Sequence, residues 1–569
     1  MKKVVSLAVL FILLSVQNVF CCTNFLITKG ASADGSTMIS YSADSHGMYG
    51  SLYFRKAASH DKGAMRPVYE WDSGKYLRDI PEASHTYQRV GNINEMGVII
   101  GETTYGGRED LWDFECGGLD YGSLIYIALE RSASAREAIE VIVSLADEYG
   151  YVSEGESFSI ADKNEVWVMD LIGRGKGKKG IVWVARRVPD GYICGHANQA
   201  RITTFPLNDK ENCLYAEDVI SLARGKGYFS GKDKDFSFAD AYNPLDFSGM
   251  RACEARVWSG FNILGEGKFT YLNEKGKEVT DSASKYLDYA MGYNAANRFP
   301  LFIKPAKPVS VKMLADVMRD HFEGTPMDMT KDIGAGGNAL PYRWRPMSWE
   351  YNGKTYINER AIATQQTAFW FVAQVRNNVP DVIAPVTWFG TDDAATSYLT
   401  PIYACVSDIP ECYREGNGDI SHYAKSSFWI NNRVANDCYK MYNQMAPEVR
   451  KEIDTWENKM AEEIVRIDAE ATELYNAALA KQNKFIRRVF GKKNPTEDPL
   501  AAVKEYVTSE CVGAANTMFE YWCNLEERIT VKFIDGNVLT EEGKILHPEY
   551  TEYWKKATAL DHGKVLEAK

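Results

Sequence analysis

A chain of 569 residues, 45% of them hydrophobic, is long enough to bury a large core. At about 100–200 residues per domain it admits three or four domains, or one large mixed fold. Its net charge of −12 excludes a general nucleic-acid binder, because a phosphate backbone calls for the opposite sign.

Lys2 and Lys3 precede an apolar run from Val4 to Val16, too short to span a bilayer. With Val19 and Cys21 at the −3 and −1 positions, this reads as a secretory signal cut before Cys22. The adjacent Cys21 and Cys22 leave a lipid-modified cysteine open as an alternative. No later segment offers about 18 uninterrupted apolar residues, so no membrane span is expected in the mature chain. Export, to the periplasm or the medium, is the expectation.

Thr23 to Thr28 reads as a strand, Asp34-Gly35 as a tight turn, and Thr37 to Ser42 as the returning strand. Cys22 would therefore head a hairpin. Val98 to Thr104 is another strand. Ser134 with Glu137 forms a capping-box pattern, Ile139, Ile142, Val143 and Ala146 recur at helical spacing, and Gly150 stops the helix. Strands resume at Phe158–Ala161, Val166–Leu171, Ile181–Ala185 and Tyr192–Gly195. The basic cluster from Arg174 to Arg187 is interleaved with glycines and reads as a solvated hairpin tip. Hairpins rather than βαβ units point to antiparallel sheets flanked by helices, an α+β fold. Residues 205 to 341 are loop-rich, with a helix expected over Val311 to Phe322. Tyr356 to Val375 and Val386 to Trp388 read as strands. Residues 445 to 485 carry few helix breakers and predict long helices, and another helix starts at Pro499 and runs to about Leu525.

The chemistry concentrates at Cys22. An N-terminal cysteine carries a nucleophilic sulfur and, in its own α-amine, a base. The amine titrates at about 7.7–8.0 and a thiol at about 8.5, so proton transfer between them is nearly balanced at neutral pH. No histidine is required, and cutting the preceding peptide bond would create the base. The other cysteines are sparse and contain no CxxC pair, so no metal site and no cofactor is expected. Cys405 and Cys412 read either as a bridged pair or as buried free thiols. No GxSxG or HExxH motif is present, and His196 reads as structural.

The run Cys22-Thr23-Asn24-Phe25-Leu26-Ile27-Thr28-Lys29-Gly30-Ala31-Ser32-Ala33-Asp34-Gly35-Ser36-Thr37 resembles the opening of the C69 dipeptidases. These are N-terminal-nucleophile hydrolases distantly related to bile salt hydrolases and penicillin V acylases. Asp44-Ser45, Gly91-Asn92-Ile93-Asn94-Glu95, Gly101-Glu102-Thr103-Thr104-Tyr105, Gly155-Glu156-Ser157-Phe158, Gly195-His196-Ala197-Asn198-Gln199 and Ala255-Arg256-Val257-Trp258 continue it in order, to about residue 410. The resemblance implies a four-layer αββα sandwich of two antiparallel sheets over residues 22–415, after a removed 1–21 segment and before a mainly helical 416–569 elaboration.

It also implies roles. Cys22 is the nucleophile, Asp44 orients its amine or thiol, Asn198 is an oxyanion donor, and Arg256 is a cation near the nucleophile. Tyr41 stands where related acylases often carry an arginine, so that cation is missing or is supplied by Arg201 or Arg256. Thr103 and Thr104 stand where a second oxyanion donor is expected, and Glu102 is a candidate partner for a substrate ammonium group. The expected activity is dipeptide hydrolysis through a thioester. An N-acyl amino acid amidase, such as a bile salt hydrolase or penicillin V acylase, and a non-catalytic exported binding protein remain as alternatives. Small peptides are the expected partners, and a homo-oligomer is left open.

Overall fold

The computed structural model describes residues 22–45, 47–419, 421–423, 425–488 and 498–568, and for 482–488 the backbone alone. The expected signal segment lies outside the described residues. Two large antiparallel sheets make the centre. The first runs Ile193–His196, Thr23–Ile27, Thr37–Asp44, Thr367–Val375, Pro385–Thr391 and Thr400–Tyr403. The second runs Cys213–Tyr215, Ile181–Arg187, Val166–Gly173, Gly155–Ala161, Ile99–Gly106, Ile93–Asn94, Arg89–Val90 and Phe54–Arg55. The hairpin of Thr23–Ile27 and Thr37–Asp44 packs on the Ile99–Gly106 and Gly155–Ala161 strands, which joins the two sheets.

Helices Tyr121–Arg131 and Ala135–Tyr149 lie on the second sheet. The expected cap holds there: Ser134 Oγ accepts from the Glu137 backbone N–H at 3.2 Å, and Glu137 reaches back to the Ala133 N–H at 2.7 Å. Gly150, at φ 94°, ends the helix in a conformation that costs other residues strain. Against the first sheet lie Ala255–Leu264 and Val311–Val317 and, from the C-terminal region, the long helices Tyr442–Arg488 and Ala501–Lys532. Val503, Val507, Cys511, Ala515, Met518, Trp522, Leu525 and Ile529 form the buried stripe of Ala501–Lys532, with the spacing of one helix face. Because both sheets are covered, Thr37–Asp44, Val166–Gly173 and Thr367–Val375 are buried at every position and lack the alternation of a half-exposed strand.

Three expectations change. The Tyr356–Val375 run is not one strand: Lys354–Ile357 belongs to a small exposed hairpin, irregular chain follows, and the buried strand is Thr367–Val375. The helix read over Val311–Phe322 stops at Val317, because beyond it Arg319, Asp320 and His321 turn inward to side-chain partners. The bridged reading of Cys405 and Cys412 also falls, since both are buried free thiols. The basic segment is the hairpin tip it was read as, with Lys176, Lys178 and Lys179 exposed between Val166–Gly173 and Ile181–Arg187.

Candidate active site

The opening strand is clamped from several sides. It pairs Thr23 with Ser42 and Asn24 with both Tyr41 and His196. Phe25 is fully buried between Gly195 and Gly260; a Cβ on Gly260 would stand 2.1 Å from its ring. Asn24 rests on Gly101, where a Cβ would meet its Oδ1 at 2.3 Å, and its Nδ2 donates to the Glu102 carbonyl at 2.6 Å. These close approaches need glycine and fix the height of the strand above the second sheet. Cys22 is thereby held at the strand's first turn of chain, 4% exposed.

Around Cys22 the structure brings together most of the residues singled out above. Its Sγ lies 3.4 Å from Glu102 Oε1 and 3.8 Å from the Tyr41 hydroxyl, and Tyr41 donates to the same Glu102 oxygen at 2.5 Å. The backbone N–H of Asp44 also reaches the sulfur. Burial pushes the thiol well above its ordinary range, and the Glu102 and Asp44 carboxyls push it further in the same direction.

Asp44 is fully buried. Its carboxylate takes Arg360 Nη2 at 2.5 Å, the Thr367 hydroxyl at 2.6 Å and the Ser42 hydroxyl at 3.1 Å. Arg360 is thus a buried ion-pair partner of Asp44 that the sequence did not point to. Arg201 instead pairs with Glu254 at 3.0 Å, and Arg256 does other work.

Arg256 is fully buried two residues past a π-helical segment, Gly249–Glu254, and its Nε donates to the Ala252 carbonyl at 2.8 Å. Its Nη1 donates to the Cys22 carbonyl at 2.7 Å and to the Thr23 hydroxyl at 2.8 Å. Its Nη2 donates to the Ala197 carbonyl at 3.1 Å and to the Asn198 side-chain oxygen at 2.9 Å. The guanidinium thus ties the Cys22 backbone to Asn198 through the planar fork that only arginine supplies.

Asn198 sits at φ 60°, a region asparagine tolerates better than most residues, just past the Ile193–His196 strand. Its side-chain nitrogen donates to the Thr104 carbonyl at 2.6 Å, so both ends of the amide are oriented. The Thr104 hydroxyl is used elsewhere, donating to Glu156 Oε1 at 2.8 Å. Thr103 points to His196, whose ring is held at 2.8 Å by Thr103 Oγ1 and at 2.6 Å by Ser159 Oγ. Burial drops His196 to about 3, so the ring is neutral and cross-links the two sheets.

Glu156 was part of a quoted motif but carried no assigned role, and the structure puts it beside Glu102. Burial raises Glu102 to about 7 and raises Glu156 well above the carboxylate range. Among the described residues no three side chains form a metal-ligating group. A cavity of about 660 Å³ near Arg186, Tyr271 and Phe302 contains none of these site residues, so the chemistry follows the side-chain constellation rather than that hollow.

The family model of peptidase family C69 matches residues 21–69 and 62–455. A probable dipeptidase of Latilactobacillus sakei is 25% identical over 455 residues, covering 76% of this chain and 85% of its own. A probable dipeptidase B of Lactococcus lactis subsp. lactis is 23% identical over 513 residues, covering 83% of this chain and 96% of its own. With its match spanning the strands, the buried cysteine and the Asn198–Arg256 pair, the chain belongs to peptidase family C69.

Proposed function

We propose that this protein is an exported dipeptidase that works through a thioester on Cys22, exposed as the first residue when the preceding segment is removed. Two antiparallel sheets packed on each other, with helices outside both, support an αββα N-terminal-nucleophile sandwich. The dipeptidase names of the relatives support the substrate class.

The observation that carries the reading is the hold on Cys22. Its carbonyl is gripped by Arg256 and its sulfur receives the Asp44 N–H, so the sulfur and the carbonyl of one residue are both held in place. The thiol proton passes to the Cys22 α-amine, and the thiolate attacks the scissile carbonyl carbon. The carbonyl electron pair moves onto oxygen, where the Asn198 amide, oriented by Arg256, donates to the oxyanion. Collapse breaks the C–N bond, the Cys22 ammonium returns its proton to the leaving amine, and an acyl thioester remains. Water, deprotonated by the same amine, then releases the acid and restores the thiol.

Before release of the amine, burial and two neighbouring carboxyls hold the thiol protonated. A new ammonium beside the sulfur reverses part of that penalty, because an adjacent cation favours the thiolate. Processing and activation become one event. The test is a mass spectrum of secreted protein followed by assay on a dipeptide panel and a glycine-conjugated bile salt. Residue 22 should be first, the dipeptides should be cleaved, and Cys22→Ser should lower kcat by at least about a thousandfold. Near-normal turnover by Cys22→Ser defeats the proposal.

A further inference from the structure

Glu102 and Glu156 are 2% and 0% exposed. They lie diagonally across a strand pair, since Glu102 faces Phe158 and Thr104 faces Glu156 in the register. The two carboxyls are within hydrogen-bonding reach of each other. Two carboxyl oxygens can form such a bond only if one of them carries a proton. Apart from that mutual contact, the Oε2 atoms of both residues are buried and receive no donor from any other described residue.

The named neighbours of the pair are acids, phenols, a thiol and a hydroxyl. Glu102 faces Cys22, Tyr41, Asp72 and the phenols of Tyr121 and Tyr126. Glu156 faces Glu154 and the phenols of Tyr105, Tyr121 and Tyr151. Neither glutamate forms an ion pair with a described residue, whereas Asp44, the other carboxyl near the sulfur, is paired with Arg360. A buried carboxyl pair without a cation is costly to keep for structure alone, since apolar residues would fill the same space at less expense in desolvation.

We propose that Glu102 and Glu156 form the subsite for the free α-ammonium group of a dipeptide, and that they share one proton while the site is empty. The inference rests on Cys22 being the nucleophile, because it places the recognised amine next to the bond that sulfur attacks. The charge balances: an empty pair with one proton carries −1, and an occupied pair that has released its proton carries −2 against the +1 of the ammonium. Binding therefore exchanges a proton for an ammonium at constant buried charge. An N-acylated substrate brings no positive charge and cannot make the exchange, which selects dipeptides over N-acyl amino acids.

The test is calorimetric binding of Gly-Leu and N-acetyl-Gly-Leu to the mature Cys22→Ala protein. It is run near pH 7.5, just above the value of about 7 to which burial raises Glu102, in two buffers of different ionisation enthalpy. Gly-Leu should release close to one proton per site, and the acetylated peptide should bind at least about thirtyfold more weakly and release none. Glu156→Gln should remove the proton release and weaken Gly-Leu at least about tenfold; Thr104→Val, a milder change at the same carboxyl, should reduce the release if Glu156→Gln does not fold. Equal affinity for the two peptides, or proton release unchanged in both variants, overturns the inference. Binding is read without turnover, so wild-type protein that binds Gly-Leu with proton release yet hydrolyses no dipeptide would sink the dipeptidase reading and leave this subsite standing.

Discussion

The Arg360 guanidinium meets the Asp44 carboxylate at 2.5 Å, although 316 positions of chain separate them. Both are buried, so water does little to screen the pair. Removing Arg360 takes the ion-pair partner from a fully buried carboxylate, which costs about 3–5 kcal/mol. Arg360→Met should lower unfolding stability by that order in denaturant titration and depress activity as well. The Asp44→Asn, Arg360→Met double variant should be less destabilised than the sum of the two singles. Additivity would show that the pair does not act as a unit.

One extra residue ahead of Cys22 should silence the enzyme while leaving its fold intact. Without a free amine the thiol sits among Glu102, Asp44 and apolar burial, all of which oppose ionisation. Iodoacetamide at about pH 8 should alkylate the extended protein at least about tenfold more slowly than the processed one. Matching rates would mean that the amine contributes nothing to thiolate formation.

Asn198→Ala should lower kcat by about 10²–10³ with a smaller change in KM, the pattern of a donor used mainly in the transition state. Arg256→Lys should produce a similar loss, because a lysine cannot serve the Cys22 carbonyl and the Asn198 oxygen together. Steady-state kinetics on one dipeptide separates these effects from loss of folded protein, read independently by circular dichroism.

His196 gives a pH dependence of stability with a defined sign. It is held neutral in the folded chain down to about 3, whereas an unfolded histidine takes up a proton near 6.5. Between those values the unfolded state binds the extra proton. The contribution is therefore complete above about pH 6.5 and is lost as the pH falls toward 3. His196→Gln should flatten the stability profile in that window, as measured by urea unfolding at a series of pH values.

Much of this site could be read from residue order. The hairpin after Cys22, the Ser134 cap and the positions of several central strands followed from turn residues, capping chemistry and apolar runs. Arg360 could not be found that way. It sits in irregular chain ahead of the Thr367–Val375 strand, inside a run that looked like one long strand. Only the antiparallel pairing of Thr37–Asp44 with that strand carries it to Asp44. The partnership of Glu102 with Glu156 depends likewise on strand register, and a slip of one residue would have turned one carboxyl to the opposite face. His196 was legible as structural, although its two hydroxyl partners come from strands that sequence spacing does not bring together.

The Thr23–Ile27 strand lies inside its sheet, laddered on one side to Ile193–His196 and on the other to Thr37–Asp44. A chain that began at Cys22 would present exopeptidases with no slack, since its second residue is already bonded and its third pins the strand to the sheet below. Digestion from that end would require prising a central strand out of the core. The most valuable atom pair in the molecule would thus sit at the terminus least open to trimming, and the catalyst would outlast the peptides around it.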